Sequence, residues 1–337
     1  MGTRRFSRFA CYVFLLLAAA AVGPWTGRAL AQPEAMPVTV WGGETPWSEQ
    51  VVPAPSQDPA LWVPPQPVAP VGDVFAEPKA VITAEPWTWQ ALPDGLLYPA
   101  YLAGNRESRF GTQFVNDKRL GSLWDIALGG HVGLLRYGTT EAANPEGWQL
   151  DIEGAAFPRL TLDDNRDMVA NDFRFGIPLT VRQGDWEWKF GGYHLSSHYG
   201  DQYLYSHPDV DRIHYSRTGL VAGVAYRPNP DWRFYAETGW AFSIWGGAEP
   251  WEFQFGAEFS PAGPTGWQGA PFLAVNGHLR QENNFGGNFT AEAGWLWRGR
   301  TGHMVRTGVY YFNGMSDETE FYRNSEQLLG GGLWYDF

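Results

Sequence analysis

The sequence is nearly free of cysteine. Its one thiol, Cys11, lies in the first dozen residues, so a disulfide framework, a thiolate metal centre and a cysteine nucleophile are all excluded from the rest of the chain. Lysine is confined to Lys79, Lys118 and Lys189. Acids outnumber bases 36 to 24, for a net charge of −12, which argues against a nucleic acid partner. After residue 31 no apolar run approaches the roughly 18 residues of a spanning helix, so a membrane reading has to rest on strands. What the chain has in quantity is aromatic residues, 16%, and glycine, at 41 positions, the composition of strands that meet lipid at its interfaces.

The first residues read as an export signal. Arg4, Arg5 and Arg8 precede an apolar run from Phe9 to Val22, and Ala29-Leu30-Ala31 is a small-residue cleavage site, so residues 1–31 are expected to be removed. Arg4-Arg5 also fits a twin-arginine signal. That route carries folded cargo, however, and a lipid-embedded barrel crosses unfolded, so ordinary secretion is the expectation. Removal takes Arg4, Arg5, Arg8, Arg28 and no acid, which makes the mature chain still more acidic. Residues 32–91 are studded with proline (Pro53, Pro55, Pro59, Pro64, Pro65, Pro67, Pro70) and are expected to form a disordered periplasmic tether. Trp41, Trp47, Trp62, Trp87 and Trp89 leave open a periplasmic partner for this tether.

From about Leu92 the character changes, and after Ser108 period-two alternation places strands one after another. Trp148, Leu150 and Ile152 alternate with Gln149, Asp151 and Glu153; Trp186, Trp188 and Phe190 alternate with Glu187 and Lys189. The chain closes on Leu333-Trp334-Tyr335-Asp336-Phe337, the form of a closing strand read by barrel-assembly machinery. About twelve strands result, with tight links at Gln183-Gly184, Pro228-Asn229-Pro230 and Gly299-Arg300 and long links after the third, fifth and eleventh strands. The expected fold is an all-β, transmembrane, antiparallel up-and-down β-barrel over residues 92–337, bathed in outer-membrane lipids. Trp148, Trp186, Trp188, Trp232, Trp295, Trp297, Tyr335 and Phe337 should ring the periplasmic side, and Trp124, Trp240 and Trp251 the external side.

The inward set is charged with both signs. Asp125, Asp151, Glu153, Asp172, Glu187, Glu237, Glu252, Glu258 and Glu292 are balanced by Arg174, Arg182, Lys189, Arg217, Arg227, Arg233, Arg280, Arg298 and Arg306. Balanced signs predict cross-strand ion pairs in a mostly filled lumen, rather than the single-sign ring of an ion-selective pore.

One constellation suggests chemistry. His194 and Ser196 share the lipid-facing parity of Trp186, Trp188 and Phe190, and a turn at Gln183-Gly184 places Asn171 opposite Ser196 and Phe173 opposite His194. Ser196 as nucleophile, His194 as base and Asn171 as orienter would make a serine hydrolase. A polar strand exit into the headgroup region accounts for the same residues. The His194-Leu195-Ser196 motif resembles that of outer-membrane phospholipase A and the lipid A deacylases, which implies an ester hydrolase acting on membrane lipid. The resemblance covers only a few residues, and Ser197-His198 stands where the phospholipase motif has Asn-Gly. Asp163, Asp164 and Asp167, in the loop before Asn171, offer hard oxygen ligands for calcium, although the spacing is not that of an EF-hand.

The segments 92–99 (Leu-Pro-Asp-Gly-Leu-Leu-Tyr-Pro), 134–138 (Leu-Leu-Arg-Tyr-Gly), 147–155 (Gly-Trp-Gln-Leu-Asp-Ile-Glu-Gly-Ala) and 193–198 (Tyr-His-Leu-Ser-Ser-His) resemble a bacterial outer-membrane barrel family of unknown function. This resemblance implies fold and location and no activity. Two functions stay open: a lipid ester hydrolase at the outer leaflet, and a narrow solute channel or envelope scaffold with a charge-filled lumen.

Overall fold

The computed structural model describes residues 85–163 and 165–337. The signal segment and residues 32–84 of the tether therefore lie outside the described residues. Thirteen strands form one antiparallel sheet: β1 (Thr88–Ala91), β2 (Phe110–Asp117), β3 (Gly121–Gly138), β4 (Gly147–Thr161), β5 (Met168–Gln183), β6 (Trp186–Tyr199), β7 (Ser216–Asn229), β8 (Trp232–Trp245), β9 (Trp251–Phe259), β10 (Ala270–Arg280), β11 (Gly287–Arg298), β12 (Met304–Met315) and β13 (Ser325–Asp336). Each strand from β2 onward pairs with the next, and β13 returns to pair with β2, closing an up-and-down barrel of twelve strands. A short helix, α1 (Asp201–Ser206), lies in the link between β6 and β7.

Alternation builds the wall. Along β4 every second residue is buried, beginning with Gly147, Gln149, Asp151 and Glu153, while Trp148 and Leu150 are exposed. The pattern is inverted relative to a soluble sandwich, since the charged face is inside and the apolar face meets the surroundings. Phe190, Val309, Leu333 and Phe173 all stand exposed on the outer wall. An apolar coat of this extent is far beyond what a water-soluble monomer carries, and it matches a hydrocarbon solvent. Trp148, Trp186, Trp188, Trp295 and Trp297 are exposed toward the rim that carries Phe337; Trp240, Trp245 and Trp251 are exposed toward the opposite rim.

Parity breaks at one place. Leu134 has no partner in the β3–β4 ladder, which shifts between Gly133 and Leu135. This bulge turns Leu135 and Tyr137 outward and Arg136 inward, a reversal that simple alternation misses.

The last residues of the expected tether belong to the barrel. β1 pairs with Leu135–Gly138 of β3, and Trp87 and Trp89 pack against Tyr137 with ring centroids 5.7 and 5.0 Å apart. Residues 92–109, which carry no period, form no strand. They run inside the barrel, with Leu97, Tyr98, Tyr101, Leu102, Ala103, Glu107, Ser108 and Arg109 buried.

Candidate functional site

The lumen is built from ion pairs between strands. Arg159 of β4 lies directly opposite Asp125 of β3 and bonds it at 2.7 Å. Arg174 meets Glu153 at 3.1 Å, Arg217 meets Glu252 at 3.2 Å, and Arg233 bridges Glu187 at 2.8 Å and Glu258 at 3.0 Å. Lys189 pairs with Glu237, and Arg306 with Glu292. In a low-dielectric interior each of these charges needs its partner, because an unpaired one costs several kcal/mol, of the order of 3–5.

Into this lined space the segment Leu92–Arg109 is bonded from all sides. Arg136 of β3 donates to the carbonyls of Asp94 and Gly95 at 3.0 and 2.8 Å. Tyr101 donates to Glu237 of β8 at 2.8 Å and stacks on Tyr235, centroids 3.8 Å apart. Lys189 of β6 lies 5.1 and 4.9 Å from the ring centroids of Tyr98 and Tyr101, a cation–π arrangement. The Leu102 amide donates to Glu258 of β9 at 2.9 Å, its carbonyl accepts from Arg306 of β12 at 2.7 Å, and Asn105 donates to Thr290 of β11 at 3.0 Å. The segment is a plug held by side chains from around the whole wall.

A cap meets the plug from the rim opposite Phe337. The β12–β13 link, residues 316–324, turns Ser316, Asp317, Glu318, Thr319 and Glu320 inward, all buried. Arg106 of the plug reaches Glu318 at 3.1 Å and Asp172 at 3.2 Å, and Thr319 donates to Asp172 at 3.0 Å from its hydroxyl. Burial pushes the Glu320 carboxyl up to about 7, and the charge of Asp172 adds to this against amide donation from Tyr215, Ile213 and His214. Cavities between plug, cap and wall measure about 40 and 50 Å³, room for a few waters. Sequence reasoning missed both plug and cap. The one available signal was the aperiodic 92–109 stretch ending in Glu107-Ser108-Arg109, too polar for a lipid-facing strand and too rich in tyrosine for a spacer.

On the outer wall His194, Ser196 and Asn171 all take the outward parity, half-buried. Their register differs from the expected one. The tight turn is Gly184-Asp185, because Gly184 takes the left-handed conformation (φ 57°) and Gln183 pairs with Trp186 in the ladder. A left-handed φ costs glycine nothing and other residues a good deal. The whole ladder therefore moves by two. Asn171 lies opposite His198, Phe173 opposite Ser196 and Phe175 opposite His194. His194 Nδ1 bonds the Thr218 hydroxyl of β7 at 2.8 Å, and Ser196 lies opposite Ser216 on that side. The Oδ1 of Asn171 is buried without a hydrogen-bond partner among the described residues.

In the β4–β5 link, Asp163 accepts the Ser122 amide at 3.2 Å, and the carbonyl of Asp167 accepts the Thr161 amide at 3.0 Å. Asp164 lies outside the described residues. Among the described residues no group of three His, Cys, Asp or Glu is gathered for a metal ion.

Comparison with solved structures finds barrels of similar outline. Outer membrane phospholipase A from Escherichia coli is 12% identical, with 68% of this chain and 89% of that one covered at a TM-score of 0.46. The Salmonella typhi outer membrane phospholipase dimer with bound calcium is 12% identical, with 68% and 90% covered at 0.45. No curated protein matches. The chain's own kinship is decided by the family model it matches over residues 65–337: it belongs to the family described as protein of unknown function (DUF1207).

Proposed function

We propose that the protein is an integral outer-membrane barrel serving as a sealed envelope scaffold, with its C-terminal rim toward the periplasm. The observation that carries this reading is the plug Leu92–Arg109, bonded to β3, β6, β8, β9, β11 and β12 at once. A solute path would have to break these bonds together, whereas a scaffold gains rigidity from them. Planar bilayers loaded with the purified full chain are expected to stay silent; a steady conductance would replace the scaffold by a channel. The same proposal includes export by a signal cleaved after residue 31, insertion through β13 by barrel-assembly machinery, and a periplasmic partner for the tether. N-terminal sequencing of the protein from outer membranes should begin at Gln32, and deletion of residues 33–84 should abolish co-purification of that partner.

A lipid ester hydrolase is the second reading, favoured by His194, Ser196 and Asn171 sharing the outward wall of adjacent strands. Its geometry requires His194 to leave Thr218 and turn to Ser196 two residues along the strand. Calcium at Asp163, Asp164 and Asp167 would belong to this reading. Turnover of long-chain phospholipid by the detergent-solubilised protein, abolished by Ser196→Ala, would establish it; absence of turnover leaves the scaffold alone.

A further inference from the structure

At the rim that carries Phe337 a recess lies between the plug's first residues and the β3–β4, β9–β10 and β11–β12 links. Three arginines line it: Arg182 of β5, Arg227 of β7 and Arg298 of β11. The acidic side chain on its lining is Glu258, beside the last residue, Phe337; Glu258 is already engaged by Arg233 at 3.0 Å and by the Leu102 amide at 2.9 Å. Glu187 behind it serves three guanidinium groups, with Arg233 at 2.8 Å, Arg182 at 4.0 Å and Arg227 also in contact. Arg298 spends its nitrogens on neutral acceptors: the carbonyls of Pro261 and Gly302 at 2.8 and 3.3 Å and the hydroxyl of Ser260 at 3.1 Å. Two acids of the neighbouring links are turned to backbone, Glu146 to the Gly184 amide at 2.9 Å and Asp231 to the Ala262 amide at 3.1 Å. Of the four guanidinium groups here, Arg182, Arg227 and Arg233 share Glu187, Arg233 also holds Glu258, and Arg298 spends its nitrogens on the neutral oxygens just named.

Most lumen guanidinium groups described above are set directly against a carboxylate, whereas Arg298 meets neutral oxygens and Arg182 has its carboxylate no nearer than 4.0 Å. Clustered guanidinium groups repel one another unless an anion sits among them, and their planar forks suit the tetrahedral oxygens of phosphate. The cavity, of about 40 Å³, holds a group of phosphate size and leaves acyl chains outside. We propose that the recess is a binding site for a phosphate group, either free or as the headgroup of an anionic lipid of the leaflet at that rim.

Arg182 is the least engaged of the three, with its nearest neutral acceptor, Asn144, at 3.4 Å, and it is the position to change. Calorimetric titration of the full chain in detergent with inorganic phosphate is paired with native mass spectrometry after adding phosphatidylglycerol. Saturable phosphate binding, weakened at least about tenfold by Arg182→Gln and unchanged by Lys118→Gln at the opposite rim, is the expected result. Phosphatidylglycerol retained by the native chain and lost from Arg182→Gln would assign the headgroup; phosphate binding without lipid retention would assign the free ion. If Arg182→Gln loses the heat-modifiable gel mobility of a folded barrel, Arg182→Lys keeps the charge and should still weaken binding by removing the fork. Neither phosphate binding nor lipid retention, or binding that Arg182→Gln and Arg298→Gln both leave intact, overturns the site.

Discussion

Arg306 is fully buried, holding Asp336 at 2.7 Å, the Leu102 carbonyl at 2.7 Å and Glu292. Arg306→Met should therefore strand Glu292 and leave Asp336 to Arg109 alone, at a cost of about 3–5 kcal/mol, read from denaturant unfolding in lipid vesicles; Lys118→Ala, exposed in a link, should stay within about 0.5 kcal/mol. Glu320 acts through pH. Its carboxyl is held at about 7 in the seated cap against an ordinary value of 4.5, so folding favours the protonated form. The stabilisation is complete below about pH 4.5 and disappears as pH rises through 7. Amide exchange across Glu318–Tyr322, corrected for intrinsic rates, should be faster at pH 8 than at pH 5, and Glu320→Gln should shrink the difference, the remainder belonging to Glu318, whose carboxyl is also pushed up to about 7 by burial. Equal protection at both values in the native chain would separate the cap from these carboxyls.

Strands were legible from residue alternation alone, because period two is imposed by backbone geometry and the lipid face tolerates few exceptions. Val309, at the middle of β12 and more than half exposed, belongs to that face, and Val309→Lys should cost about 2–4 kcal/mol by vesicle unfolding. Register was less legible. It hangs on which residue of Gln183-Gly184-Asp185 leaves the ladder, and the left-handed demand falls on Gly184 as the first turn residue and not the second. That shift moves Asn171 from Ser196 to His198, so outward parity was readable for the trio and their mutual placement was not. The Leu134 bulge escaped for a similar reason, since two adjacent leucines satisfy either parity. The plug left no period to read, because an irregular segment is held by long-range partners such as Glu237 and Glu258 that local patterning cannot display. Its weight can be measured. Tyr98→Ser, Tyr101→Ser and Arg106→Ser together remove the stacking, the Lys189 contacts and the cap bridge, and bilayers should then show intermittent current where the native chain is silent. Silence from this triple variant would mean that the wall charges alone fill the lumen.

The complete cylinder presents hydrocarbon-loving surface outward and salt inward, so its integrity depends on having no open edge, and β13 pairing with β2 supplies that closure. The inner segment begins beside β1 at Leu135–Gly138 and rises until Arg106 touches the cap. It then descends so that Arg109 lies 3.3 Å from Asp336 of β13, before joining β2. Entry and exit share one mouth. A looped cork of this kind can be pressed home after the staves have been joined, with no polypeptide end drawn through the hoop, and by the same path it can be withdrawn without parting a single stave.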